Sequence, residues 1–247
     1  MRHAVRGLPL NREIYRRASL RDWAMLLDLG CGAGEFLLEA RRDRHHRGLL
    51  VALDRREAPL RQLEERARRT GLPVQTVQAD ARSLPWESEC FDGVILRNRL
   101  EPAEELKTML QEVRRVVRPA GRVVLVTRSG VNLRHCQEFR RRLSLEFPGL
   151  PLEPCPPATT QEQVTDLLVP IFGPVESHVL DDPLHFRHLE DYLRFFDTYR
   201  TRYDPVPDDG LWDQALARVA SWASSWFDVR QALAEPRRYG IYVGTVL

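Results

Sequence analysis

Along its first half the chain sets short runs rich in apolar residues against longer stretches in which apolar residues recur at helical spacing. The runs at 25–29, 49–53, 74–77, 91–96 and 122–127 have the length of buried strands. Residues 35–41, 58–70 and 106–117 have the helical pattern, and in the last of these Leu106, Met109, Leu110, Val113, Val116 and Val117 share one face. Gly71 and Pro73 stop the second helix, and Pro119-Ala120-Gly121 stops the third. Strands alternating with helices predict crossover units, hence a parallel sheet with helices on both faces.

The second half is less regular. A pre-strand helix is expected at 12–20, another at 129–145, then a proline-rich connector at 148–157 and a helix at 161–168. Residues 173–180 and 239–247 have strand patterns, and between them lies an insertion, 181–236, far longer than a hairpin connection. Within it Leu189, Tyr192, Leu193, Phe196 and Tyr199 share one helical face, and Trp212, Leu216, Val219, Trp222, Trp226 and Phe227 share another. Such faces either pack on one another or on the sheet, or roof an apolar or aromatic acceptor. No repeat or low-complexity tract is present.

Candidate chemistry centres on Asp28-Leu29-Gly30-Cys31-Gly32-Ala33-Gly34-Glu35, where the first strand turns into a helix. Glycines there allow positive φ and close approach of a ligand, and the free amides of the helix start favour an acceptor-rich group. The third glycine comes one residue too early for a dinucleotide fingerprint, and Glu35 stands where the helix glycine would be. A Walker loop is excluded, since Lys107 is the sole lysine of the chain. Asp54 ends the second strand, where a carboxylate can accept from a ribose diol, and Asp80 follows the third, where it can accept from an adenine amino group.

With these motifs in this order, residues 22–127 resemble a class I S-adenosylmethionine-dependent methyltransferase of the UbiE-like, type 11, small-molecule branch. The resemblance implies an α/β Rossmann-like sandwich: a seven-stranded, mostly parallel sheet with an antiparallel last strand, helices on both faces and a helical lid insertion. It divides one methyltransferase domain, 1–247, into an N-terminal helical segment (1–24), a cofactor-binding core (25–128), helices and strand six (129–180), the lid (181–236) and a terminal strand (237–247). It implies S-adenosyl-L-methionine as cofactor, held by Asp28, Gly30, Cys31, Gly32, Gly34, Asp54, Arg55, Asp80, Ala81 and Arg97, with Leu53 and Trp86 beside the adenine. The segment Arg97-Asn98-Arg99-Leu100 is implied to pass close to the sulfonium, and it departs from the His or aromatic pair usual there. Asn98, Arg99 and His135 are the catalytic candidates. Tyr15 either closes over the cofactor or packs.

Composition narrows the partners. With 43% hydrophobic and 29% charged residues the chain has ordinary globular chemistry, and no apolar run approaches the ~18 residues of a membrane span. The absence of a hydrophobic signal core leads to an expected cytoplasmic location and no membrane partner. Lys and Arg number 37 against 35 acids, a net charge of +2, and the recurrent Arg pairs interleave with Glu, which argues against a nucleic-acid face. Cys31, Cys90, Cys136 and Cys155 lack metal or disulfide spacing, and His185 and His188 lack a third ligand, so no metal is expected. His45 and His46, at a helix end, are expected to face solvent. The Asn/Asp-Pro-Pro-Tyr signature of amine methylation and a Pro-Cys nucleophile are both absent. The resulting expectation is methyl transfer to a small molecule; transfer to RNA or protein, and cofactor binding without turnover, are the alternatives.

Overall fold

The computed structural model describes residues 8–19, 23–43, 46–97, 103–128, 132–148, 150, 160–200, 207–230 and 232–247. They divide into two compact units. A sheet unit comprises Leu8–Ser129, Ala158–Leu180 and Tyr239–Leu247, and a helical unit draws on Gly130–Pro157 and Asp181–Arg238.

In the sheet unit, helix α1 (Leu8–Ala18) precedes β1 (Met25–Leu29), α2 (Glu35–Arg42), β2 (Leu49–Asp54), α3 (Glu57–Thr70), β3 (Gln75–Gln78), β4 (Phe91–Arg97), α4 (Ala103–Val116) and β5 (Val117–Arg128). After the chain has passed through α5 (Arg134–Glu146) it returns as α6 (Gln161–Phe172) and β6 (Val175–Asp181), and it ends in β9 (Arg238–Thr245). The strand order is β3-β2-β1-β4-β5-β9-β6. The first five strands of the chain pair in parallel, whereas β9 runs antiparallel to β5, with Val124 opposite Val243.

Alternation along each strand supplies two cores. Leu26, Leu50, Ala52, Ile95 and Val124 pack with residues of α1, α2 and α3, while Leu27, Val51, Leu53, Val94 and Leu125 pack with residues of α4 and α6. The sheet is therefore covered on both faces. Order reverses between β1 and β4, the point at which open α/β sheets bind ligands outside the carboxyl ends of their strands.

The helical unit contains α5, α7 (Leu189–Asp197), α8 (Asp209–Arg230) and a two-stranded antiparallel ribbon of β7 (Leu184–Phe186) and β8 (Leu233–Glu235). Phe139, Leu143, Phe186, Tyr192, Phe196, Trp212 and Val219 form its core. Tyr192 and Phe196 are fully buried there, and the Trp212 indole stacks on Phe196 at 6.2 Å while its N–H donates to Asp197 at 2.7 Å. The α7 face thus packs within its own unit. The unit is closed at its ends by two ion pairs, Asp181 with Arg238 at 2.7 Å and the buried Asp182 with Arg237. Among the described residues no helix is long and apolar enough to cross a membrane.

One expectation is overturned. His46 is 1% exposed, because Arg41 donates to the Gly48 carbonyl at 2.5 Å and the turn folds the imidazole inward. Burial, reinforced by the Arg41 charge, pushes its pKa down to about 4. His45 lies outside the described residues.

Candidate active site

The glycine loop is built on two backbone bonds to the neighbouring strand: the amides of Gly30 and Cys31 both donate to the Leu53 carbonyl, at 2.7 and 3.0 Å. A third, from Gly34 to the Cys31 carbonyl at 3.1 Å, closes the turn into α2. Gly32 and Gly34 have φ of 56° and 69°, values that disfavour side chains. Their surroundings differ. A Cβ on Gly34 would lie 2.2 Å from the Leu63 side chain, so this glycine lets α2 and α3 approach closely. A Cβ on Gly32 would meet nothing within 4 Å, which leaves the loop open on that side.

Asp54, 5% exposed, ties the loop to the strand end. Its Oδ2 accepts from the Gly32 amide at 3.1 Å and its Oδ1 from the Arg56 amide at 3.0 Å. A carboxylate offers about four lone-pair sites, so acceptor capacity remains for a hydroxyl pair. Asp80 is half exposed and held by Arg82, whose Nε and Nη2 donate at 3.0 and 2.6 Å while its backbone amide donates at 2.8 Å. Those bonds hold the carboxyl down to about 2. An adenine amino group would share Asp80 with this guanidinium, a pairing overlooked in the sequence although Arg82 stands only two residues away. Ala81 is buried next to it, and Arg55 is exposed.

Asp28, in mid-strand between Ala52 and Ile95, is fully buried. Cys31 is also buried, and desolvation raises its thiol pKa far above neutral, so it is an uncharged part of the loop wall. Arg97 stacks on the Phe36 ring at 4.4 Å and donates to Asn11 Oδ1 at 3.1 Å; Asn11 in turn donates to Glu39 at 2.7 Å. This relay pins α1 against α2 and was missed in the sequence, because Asn11 preceded the expected helix start. Tyr15 packs, with its hydroxyl donating to the Phe36 carbonyl at 3.0 Å. Leu53 is buried in the core, and Trp86 meets Phe91 edge-on at 5.0 Å.

The catalytic candidates fall in different parts of the chain. Asn98 and Arg99 lie outside the described residues, and His135 belongs to the helical unit. There its Nδ1 is 3.4 Å from Oε2 of Glu235, a fully buried carboxylate. Glu235 also accepts from the amides of His135 and Cys136, at 3.0 and 2.6 Å, and from the Tyr192 hydroxyl at 2.9 Å.

A family model described as a methyltransferase domain matches residues 27–125, the stretch that holds the glycine loop, Asp54 and Asp80. Residues 27–125 are thus similar to class I, UbiE-like methyltransferase domains. A demethylmenaquinone methyltransferase of Lactococcus lactis subsp. lactis (strain IL1403) is 32% identical to the domain over 108 residues, 42% of either chain. The match thus spans under half the length of that relative. Among solved structures, the YcgJ protein from Bacillus subtilis superposes with a TM-score of 0.58 at 17% identity, covering 95% of this chain and 97% of that one. The [4+2]-cyclase SpnF gives 0.59 at 18% identity, covering 96% and 80%. The architecture is therefore shared with a protein named for cyclase activity, and the fold alone does not specify the reaction.

Proposed function

We propose that this chain is an S-adenosylmethionine-dependent methyltransferase of the cytoplasm that acts on a small-molecule acceptor. The observation that carries the reading is the glycine loop: it is closed on the Leu63 side, open at Gly32, and flanked by Asp54 and the exposed Asp80 at successive strand ends. In this reading the loop amides and Asp28 hold the methionine portion, Asp54 accepts from the ribose hydroxyls, and Asp80 with Ala81 selects adenine. The bound cofactor supplies a methyl group on a positively charged sulfonium. Positioning then provides most of the acceleration, since in-line displacement demands alignment above all. A base is needed only for an acceptor that arrives protonated. The name of the Lactococcus relative supports a small organic acceptor.

Calorimetry with S-adenosylhomocysteine tests the cofactor assignment. Asp54→Ala should weaken binding by roughly 30-fold or more, the equivalent of about 2 kcal/mol for hydroxyls left unpaired. NAD should not compete. Unchanged affinity in the variant, or competition by NAD, would overturn the assignment. Radiolabelled methyl transfer into a cell lysate, followed by size fractionation with nuclease or protease treatment, identifies the acceptor class; label confined to macromolecules would overturn the small-molecule reading.

A further inference from the structure

The helical unit contains a cavity of about 610 Å³, within the range of small-molecule sites. None of the residues around it belongs to the glycine loop. Its walls are aromatic: Phe139 on α5, and Trp222 and Trp226 one turn apart on α8, the indoles both half-buried. Phe139 and Trp222 lie 5.8 Å apart at 35°, and His135 meets Trp226 edge-on at 4.4 Å. The small side chains of Ala232 and Ala234 complete the lining without filling it.

The charged groups are arranged on one side of this aromatic slot. Arg134 and Arg142 line it from α5, together with Glu138. Glu138 pairs with Arg141 at 3.0 Å and Arg142 at 3.3 Å, and Arg142 also lies 5.4 Å over the Trp222 ring. Arg134 is exposed and makes no hydrogen bond or ion pair with other described residues. Two guanidinium groups against one carboxylate leave one surplus positive charge in the lining. The nearby Glu235 does not cancel it at close range, because its carboxylate is turned into the unit and taken up by two α5 amides and Tyr192.

We propose that this cavity is a binding site for a flat aromatic carboxylate, with the ring between Phe139, Trp222 and Trp226 and the anionic group on Arg134. Aromatic walls match a planar π-system, and a guanidinium matches a carboxylate through paired, charge-assisted hydrogen bonds. The single surplus charge fits one anionic group and disfavours a dianion. The site is independent of the methyl-transfer reading, since every residue it needs lies within the helical unit.

Binding of 2-naphthoate to the full chain, followed by quenching of tryptophan emission in the absence of S-adenosylmethionine, tests the inference. Saturable quenching is expected, with a dissociation constant below roughly 1 mM. Arg134→Gln should weaken 2-naphthoate about tenfold, as loss of a charge-assisted contact predicts, and leave the neutral isostere 2-naphthamide unchanged. Trp226→Leu should weaken both. Absence of saturable quenching would overturn the site, and equal affinities of naphthoate and naphthamide for the parent chain would overturn the carboxylate assignment. Because Arg134 is exposed, its variant keeps the fold and carries the test even where Trp226→Leu does not. The outcome is read without cofactor, so its failure is distinct from failure of the calorimetry with S-adenosylhomocysteine.

Discussion

Asp54 in the sheet unit and Glu235 in the helical unit solve the same local problem with opposite results. Each is a carboxylate at most 5% exposed, and each accepts from two backbone amides at or just before a helix start. Glu235 is then enclosed further by the Tyr192 hydroxyl and the His135 ring. Asp54 stands at the end of a parallel strand beside Gly32, where the loop is open. A buried carboxylate whose surroundings are complete holds a fold together, whereas one beside an open loop retains acceptor capacity for a ligand. The two amide bonds that each accepts do not separate them; the closure around the carboxylate does.

The comparison is broken most severely by Glu235→Ala. Three donors, two of them in buried bonds, lose their acceptor, and the expected cost is on the order of 4 kcal/mol. Chemical denaturation should show that loss while affinity for S-adenosylhomocysteine, measured below the transition, stays within a few-fold. Gly34→Ala comes next, with an expected cost of about 3 kcal/mol from overpacking against Leu63 plus left-handed strain. Adding Leu63→Ala should recover part of it, and a double variant no better than the single would show that backbone strain dominates.

A buried base gives a smaller, pH-dependent effect. In the unfolded chain an imidazole titrates near 6.5, against about 4 for His46 in the fold. The unfolded state therefore binds the proton more readily, so the stability contribution is complete above pH 6.5 and is lost as pH falls towards 4. Integrated over that interval the loss is on the order of 2 to 3 kcal/mol, and urea midpoints at pH 7 and pH 5 should converge in His46→Leu. The smallest effect is that of Asp54→Ala on stability, about 1 kcal/mol, because the loop and Arg56 amides it frees can reach water. That variant should lose ligand far more than fold, the reverse of Glu235→Ala.

These contrasts follow how information is distributed along the chain. The boundaries of β1 were legible to the residue, since an apolar run there ends on glycine, and Gly71 capped α3 as its spacing predicts. That the glycine loop, Asp54 and Asp80 fall at or just beyond strand ends was legible, because such positions recur at intervals that local pattern sets. The ribbon of β7 and β8 was not, since three-residue strands are too short to show a period. Nor was the aromatic cavity, which joins α5 to the far end of α8, elements far apart in the sequence. His46 was misread for a related reason: its imidazole lies by the Trp23 backbone and near Asp92, both far from it in the sequence. Helical spacing correctly grouped the aromatic positions of 189–227, but it could not say that Tyr192, Phe196 and Trp212 would close a core while Trp222 and Trp226 would line a space.

The double clamp of Asp181 with Arg238 and Asp182 with Arg237 has a consequence for how such a chain can be taken apart. The two crossings of the backbone are held side by side, with the Asp182 amide donating to the Arg237 carbonyl at 2.9 Å. To the sheet, everything between residues 182 and 237 is equivalent to a hairpin turn. Segments whose ends meet in this way are the ones that tolerate exchange, because the ends of a graft need only match one short gap. The stretch from β7 to β8 is exchangeable on those terms only with α5 carried along, because Phe139 and Leu143 share its core and two α5 amides bind Glu235.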